Sequence, residues 1–354
     1  MSLRLLRPLV LAGSALTLGV SALSLPAAQG ATSSSYVALG DSYSSGTGTR
    51  AYLSDGTSCQ RSVYAYPSLI SSARGYALNF RACSGATTAD VRSTQLSALT
   101  ASTGYVTISV GGNDANFTNV LTTCAMPGWA SNCNGAIDGA QRTISSTLPA
   151  ALTSLYASIR SHAPSAKVVV VGYPRIFNGE DCNLLTWFSP SEESRLNQTA
   201  DQLNARLSAA ASAAGFRFAN PTSRFVGHAV CDSPEWLNGL SNPVGESYHP
   251  NRTGHASGYT PLVSPSLTGA TVTATAATLR TARASAPTLT ARQTPYAARD
   301  RAIRPERFRT PDLRSPAVRK LAARAGVDLR SRASIDRVDR TYSRAQAKAW
   351  AARH

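Results

Sequence analysis

Short apolar runs and longer amphipathic segments alternate along the first two thirds of the chain. Five runs of four to six residues have the composition of strands that are buried on both faces: 36–39, 77–80, 105–110, 167–171 and 216–219. Between them, helical periodicity covers 62–73, 144–160 and 191–214. Strands that alternate with helices predict a central parallel sheet in a three-layer α/β/α sandwich. Functional sites in such folds form at the carboxyl ends of the strands.

The two ends of the chain differ from this pattern. Arg4 and Arg7 precede an apolar run and then a stretch of small residues, which is the order of a secretory signal peptide. We therefore predict a signal peptide at 1–30, one α/β domain at 31–264 and a secreted, extracellular protein. Ser, Thr and Ala dominate after residue 264, followed by Arg and Ala with scattered Pro. We expect 265–354 to be a linker and a disordered tail, because large apolar residues are sparse even where helices from about residue 315 are indicated.

The positive charge is concentrated in that tail. The chain has a formal net charge of +16, and residues 271–354 hold 19 Lys and Arg against 6 Asp and Glu. The predicted α/β domain is thus almost neutral, which argues against a nucleic-acid partner for it. The basic tail is a candidate for peripheral contact with anionic surfaces.

The cysteines indicate disulfides rather than a metal site. There are six, an even number in a chain that we expect to be exported, and none forms a Cys-x-x-Cys pair. Six cysteines allow 15 pairings. Pairing of sequence neighbours would join Cys59 with Cys83, Cys124 with Cys133, and Cys182 with Cys231. We expect three disulfides, no metal and no cofactor.

Four loops carry residues with candidate chemistry. Ser42 follows the first strand in a Gly-Asp-Ser turn, where a nucleophile would face the crevice above the sheet. Gly85 and Asn113 lie in loops after the second and third strands, and a backbone amide or a carboxamide there can donate to an oxyanion. His249 lies near the end of the domain, in a Tyr-His-Pro context. Each loop alone also fits a plain turn, a helix cap or a surface histidine.

Taken together and in this order, the four loops resemble those of the GDSL or SGNH hydrolase family, a flavodoxin-like fold. The match looks closest to the secreted actinomycete lipases, esterases and phospholipases, and it covers about residues 35–264. The resemblance implies that Ser42 attacks an ester carbonyl and that His249 acts as the base. It also implies an oxyanion hole made by the backbone amides of Ser42 and Gly85 and the side chain of Asn113.

The sequence departs from the family pattern at the residue that orients the histidine. The family's usual aspartate, three positions before the histidine, is replaced by Glu246. Some relatives instead use a backbone carbonyl two positions before the histidine, which would be that of Ser247. Either acceptor would fix the tautomer of His249, and we favour the carbonyl.

These observations predict a monomeric serine ester hydrolase that acts on small-molecule or lipid esters. A phospholipase acting on acyl esters of glycerophospholipids and a carbohydrate acetyl esterase are alternatives within the same chemistry. An alternative from another class is a non-enzymatic module that binds polyanions or cell walls. That alternative is disfavoured because all four motif residues are present, whereas a degenerate scaffold would have lost at least one.

Overall fold

The computed structural model of the chain describes residues 1–3, 34–305 and 307–353. By its internal contacts, the chain divides into two units, Met1–Thr32 and Ser33–His354. The predicted signal peptide falls almost wholly outside the described residues. All that follows concerns the second unit.

Five strands form one parallel sheet, each close to the predicted position. Their bounds are β1 Ser35–Gly40, β2 Ala77–Phe80, β3 Tyr105–Ser109, β4 Lys167–Val171 and β5 Arg217–Ala219. The strand order is β2-β1-β3-β4-β5, with every neighbouring pair parallel. The chain goes from β1 outward to β2 and returns to place β3 on the other side of β1. The carboxyl ends of β1 and β3 therefore flank the topological switch point, where ligands bind in such sheets.

Thirteen α-helices are present among the described residues. Their bounds are α1 Ser42–Ser45, α2 Tyr66–Arg74, α3 Thr88–Asp90, α4 Phe117–Cys124, α5 Cys133–Ser146, α6 Leu148–His162, α7 Pro190–Ala213, α8 Thr260–Thr268, α9 Ala276–Ala284, α10 Ala286–Gln293, α11 Ala297–Asp300, α12 Pro316–Ala325 and α13 Arg332–Ala351. Short 3₁₀ segments lie at Leu96–Ala98, Val244–Glu246 and Thr294–Tyr296, and π-helical turns at Val91–Gln95 and Gly254–Tyr259.

The helices pack in two groups around the sheet. Helix α2 contacts both α8 and α9 in one group, and α5, α6 and α7 contact one another in the other. The three-layer α/β/α prediction is confirmed. The predicted helix 144–160 is in fact parts of two helices, α5 and α6, which are broken at Thr147. Pro149 explains the break, because its ring cannot donate the backbone hydrogen bond that a continuous helix needs there.

The prediction of a disordered tail after residue 264 is wrong. Residue 264 lies inside α8, and five further helices follow it. Ala282, Leu289, Ile303 and Phe308 join the main hydrophobic core. A second apolar cluster joins Trp129 and Trp187 of the α/β domain with residues of α12 and α13 and the loop between them: Val318, Ala322, Val327 and Ile335. The sparse apolar residues of the tail suffice because the α/β domain supplies the other half of each cluster.

A buried ionic cluster also joins the tail to the α/β domain. The carboxylate of Asp300 contacts Arg61 at 2.5 Å and Arg81 at 2.6 Å, and all three side chains are fully buried. Asp55 pairs with Arg61 at 2.6 Å. Two arginines of the α/β domain thus depend on a carboxylate from the C-terminal segment, since a buried charge is costly unless it is paired.

The three disulfides are those predicted from the order of the cysteines. They join Cys59 to Cys83, Cys124 to Cys133, and Cys182 to Cys231. The first connects the loop after α1 to the segment that follows β2, so it ties together two of the loops that carry candidate chemistry.

Candidate active site

Ser42 lies at the carboxyl end of β1, as predicted, and is the first residue of α1. Gly40 has a φ of +117°, and a Cβ there would lie 2.2 Å from the Ser109 carbonyl oxygen of β3. Only glycine allows β1 to turn so close to β3. Asp41 then caps α1 by accepting a hydrogen bond from the Tyr43 backbone amide at 3.0 Å. The turn thereby holds the Ser42 side chain above the switch point of the sheet.

His249 is hydrogen-bonded to Ser42. Its Nε2 lies 2.9 Å from the Ser42 Oγ, and its Nδ1 lies 2.9 Å from the Ser247 carbonyl oxygen. A carbonyl can only accept, so we assign the ring proton to Nδ1, which leaves Nε2 free to accept the proton of the Ser42 hydroxyl. Burial lowers the pKa of His249 to about 4, while the hydrogen bond to Ser247 acts in the opposite direction. The imidazole is therefore neutral, and able to act as a base, at neutral pH.

Glu246 is not the group that contacts the His249 ring. Its side chain is buried, and its carboxylate faces the Tyr52 hydroxyl. Burial raises the pKa of Tyr52, and the Glu246 carboxylate raises it further. The Glu246 backbone carbonyl accepts a hydrogen bond from the Asn238 side chain at 3.4 Å. Of the two predicted acceptors, the Ser247 carbonyl is the one that lies at Nδ1.

The loops that follow β2 and β3 meet beside Ser42. Asn113 Nδ2 donates to the Ala86 carbonyl at 3.0 Å, which uses one of its two N–H donors and fixes the side chain against the loop of Gly85. Asp114 accepts from the backbone amide and the hydroxyl of Thr88, which joins the same two loops. Within the described residues, the backbone amides of Ser42 and Gly85 donate to no protein acceptor. Each of the two amides thus retains an unused N–H donor in the described structure.

Two tyrosines that the motifs did not indicate complete the site. The Tyr173 hydroxyl donates to Asp41 at 2.5 Å and accepts from the Gly112 backbone amide at 3.3 Å. The Tyr43 hydroxyl donates to the Tyr248 carbonyl at 2.8 Å, immediately before His249. Burial raises the pKa of Asp41 to about 7, although the hydrogen bonds from Tyr173 and Tyr43 oppose this shift. These contacts hold the Ser42 turn, the Asn113 loop and the His249 loop together.

The pocket next to Ser42 is largely apolar on one side. Besides Ser42, Asn113 and His249, its lining includes Phe117, Leu121, Ile144, Ile176 and Leu203. Such a lining suits a hydrocarbon group attached to a reacting carbonyl, because burial of apolar surface is favourable.

The described residues hold one group of side chains with the spacing of metal ligands: Cys182, Cys231 and Glu235. The two sulfurs of this group are joined in a disulfide and cannot act as thiolate ligands.

Within the described part of the chain, no helix is both long and apolar enough to span a bilayer.

Known proteins are similar to this chain over most of the α/β domain. Residues 38–257 match the model of the GDSL-like Lipase/Acylhydrolase family. Lipase 1 of Streptomyces coelicolor is 43% identical over 255 residues, which cover 71% of this chain and 92% of that protein. The crystal structure of the extracellular lipase from Streptomyces rimosus is similar with a TM-score of 0.63 and 39% identity, covering 66% of this chain and 100% of that one.

A further similar structure is the crystal structure of phospholipase A1 from Streptomyces albidoflavus NA297. It also has a TM-score of 0.63 and 39% identity, covering 66% of this chain and 99% of that one. The two solved chains are thus matched over almost their whole length, while a third of the present chain lies outside the match.

Proposed function

Because the chain belongs to the GDSL-like lipase/acylhydrolase family and is a carboxylic ester hydrolase, we propose that it cleaves acyl esters of lipids with Ser42 as nucleophile and His249 as base. The observation that carries this proposal is the hydrogen-bonded series from the Ser42 Oγ through the His249 ring to the Ser247 carbonyl, with both distances at 2.9 Å. This series supplies a nucleophile, a base and an acceptor that orients the base.

In the first step, the Ser42 Oγ bonds to the carbonyl carbon of the ester while His249 Nε2 takes the hydroxyl proton. The tetrahedral intermediate then collapses, and the leaving alkoxide takes that proton from the imidazolium. Water enters, gives a proton to Nε2 and attacks the acyl-enzyme. Ser42 finally leaves the second intermediate and regains its proton from His249, so that acid, alcohol and free enzyme result.

The negative charge on the carbonyl oxygen needs donors during both tetrahedral stages. We assign this role to the backbone amides of Ser42 and Gly85 and to the Nδ2 of Asn113. Support comes from the two amides, which have no acceptor within the described residues, and from the Asn113 carboxamide, which is held by the Ala86 carbonyl. Donors fixed before reaction stabilise the developing charge without reorganisation, and loss of one costs about 3 kcal/mol in the barrier.

Lipid esters are the substrate class that the site favours. The apolar side of the pocket suits an acyl chain, and the similar proteins are named lipases and a phospholipase A1. Glycerophospholipids are a second candidate, because one of the two solved structures of comparable similarity is a phospholipase A1.

Export fits this role, since three disulfides persist in an oxidising compartment and a similar lipase is extracellular. We further propose that the secreted protein is a monomer that needs no cofactor.

The test is the Ser42→Ala variant, assayed beside the wild type on tributyrin and on phospholipid vesicles. We expect the wild type to hydrolyse at least one of the two and the variant to lose at least 10³-fold in turnover, because the covalent route is gone. The melting temperature should stay within a few degrees, since Ser42 contributes little apolar packing. Residual activity above a few per cent in the variant would refute the assignment of the nucleophile.

A further inference from the structure

A short segment of the C-terminal region lies against the loops of the active site. We call residues 303–305 and 307–309 the C-terminal strap. Two of its side chains, Ile303 and Phe308, are 2% and 3% exposed and belong to the main core. Asp300, three residues before the strap, is held by the buried Arg61 and Arg81. The strap is therefore anchored at both ends rather than lying loosely on the surface.

The anchors place the strap next to residues of the proposed mechanism. A Cβ on Gly85 would lie 2.4 Å from the Pro305 Cα and 2.7 Å from the Arg304 carbonyl oxygen, so the strap backbone packs directly on Gly85. The Phe308 ring lies 4.9 Å from the ring of Tyr248, the residue before His249. The strap thus forms a wall beside both the oxyanion loop and the histidine loop.

The other side of this wall is a cationic groove of about 710 Å³. Three exposed arginines of the strap line it: Arg304, Arg307 and Arg309. None of them forms an ion pair with a carboxylate of the described residues. The same stretch of sequence contains one acid, Glu306, which lies outside the described residues.

Helix α4 connects the groove to the pocket of Ser42. Thr118 lines both cavities, and the next turns of the helix present Asn119 and Thr122 to the groove but Leu121 to the pocket. The Arg309 backbone amide donates to the Thr122 hydroxyl at 3.3 Å, which fixes the strap to this helix. One substrate molecule could therefore lie across α4, with its ester at Ser42 and a polar end among the arginines.

We propose that the C-terminal strap is a binding site for the anionic head group of the ester substrate, with Arg304, Arg307 and Arg309 contacting a phosphate. Guanidinium groups suit phosphate because their N–H donors match its oxygens in a bidentate geometry. The inference rests on the proposed function and deepens it, because it names phosphate-bearing acyl esters as the preferred class. The two similar solved chains are matched over only 66% of this chain, so the site would be a property of the added C-terminal region.

The test compares two soluble esters that differ only in a phosphate, dibutyrylglycerol and dibutyrylglycerol 3-phosphate. The variant R304Q/R307Q/R309Q removes the three charges of the groove. A matched control, R337Q/R340Q/R344Q, removes three exposed charges from α13 of the same region. The quantity compared is the ratio of kcat/KM for the phosphorylated ester to kcat/KM for the neutral one.

We expect the groove variant to lower this ratio at least tenfold, through a higher KM for the phosphorylated ester, and the control to leave it within twofold. In 0.5 M NaCl the wild-type ratio should fall toward that of the groove variant, because salt screens exposed charges. An equal ratio in the groove variant and the control would overturn the proposal. So would faster turnover of the neutral ester in the groove variant, which would make the strap an obstruction.

Binding to the Ser42→Ala protein separates this inference from the proposed function, because it needs no turnover. Calorimetry with dibutyrylglycerol 3-phosphate should give a Kd at least tenfold weaker when the three groove arginines are also replaced. Inorganic phosphate, titrated as the free anion, should bind more weakly than the phosphorylated ester. Equal Kd values for the two ligands would contradict the assignment of a head-group site.

Discussion

His249 is half-buried between two neutral partners, the Ser42 hydroxyl and the Ser247 carbonyl. A carboxylate at Nδ1 would favour the imidazolium and raise its pKa, whereas a carbonyl does so only weakly. Burial is therefore the larger influence, and it lowers the pKa of His249 to about 4. This single difference between a carbonyl and a carboxylate has a measurable consequence for the pH dependence of turnover.

The base must be neutral to accept a proton, so activity is lost only when His249 becomes protonated. We predict that kcat/KM for a soluble ester stays constant down to about pH 5 and falls below it with a midpoint near 4. As a control, protein held at each low pH is returned to pH 7 and assayed there, which distinguishes the titration of His249 from acid unfolding. The buried His255, with a pKa of about 3, also contributes to acid unfolding. A midpoint near the ordinary histidine value of 6.5 would contradict this account of the site.

Glu246 provides a second test of the same contact. We predict that Glu246→Gln lowers kcat by less than about tenfold, because its carboxylate does not face the His249 ring, whereas loss of a true carboxylate orienter costs about 10⁴-fold. The measurement is kcat at pH 7, with the melting temperature as a control for folding. A loss of more than a thousandfold in a stably folded variant would make Glu246 the orienting acid.

The sequence indicated Ser42, Gly85, Asn113 and His249 as candidate site residues because their four loops occur in the order of the family motifs, each after a strand or before a terminal helix. It did not identify Tyr43 and Tyr173. Their hydroxyls contact the Tyr248 carbonyl and Asp41, which lie 205 and 132 positions away in the chain. Contacts of this kind depend on how loops meet in space, and no local pattern encodes them.

At the scale of elements, the local pattern of apolar residues was sufficient to predict the strands, because their own apolar side chains form the buried surface. Every strand begins and ends within one residue of its predicted position, since apolar runs covered on both faces have sharp limits. The C-terminal helices were not recognised as part of a core. Ala322 of α12 and Ile335 of α13 pack on two tryptophans from distant loops, Trp129 and Trp187. The few apolar residues of the tail therefore did not indicate how much of it is buried.

Asp300 in α11 allows the attachment of this region to be measured. We predict that Asp300→Asn lowers the free energy of unfolding by about 3–5 kcal/mol, because Arg81 would keep a buried charge without a carboxylate while Arg61 would retain only Asp55. Asp201→Asn is the control. It removes the carboxylate of the largely exposed pair with Arg175, where the expected loss is below about 1 kcal/mol. Equal effects in urea unfolding would show that the buried cluster does not hold the C-terminal region.

At the scale of the whole molecule, the net charge of +16 has a different meaning once the chain is folded. The composition indicated a neutral enzyme with a separate basic tail. In the structure, Ser33–His354 is one compact unit, and the basic region packs on the α/β domain by apolar clusters and buried ion pairs. The C-terminal positive charge is therefore held at fixed places on the enzyme, some of it beside the active site.

The most direct test of the account is reaction of the intact protein with a fluorophosphonate, which captures an activated serine. Among the serines that the structure describes, only Ser42 is hydrogen-bonded through its hydroxyl to a half-buried neutral histidine whose second nitrogen is oriented by a carbonyl. Mass spectrometry should find one adduct per molecule, located on Ser42, and heat-unfolded protein should not react. Absence of an adduct on the folded protein, or an adduct on another serine, would contradict the central claim.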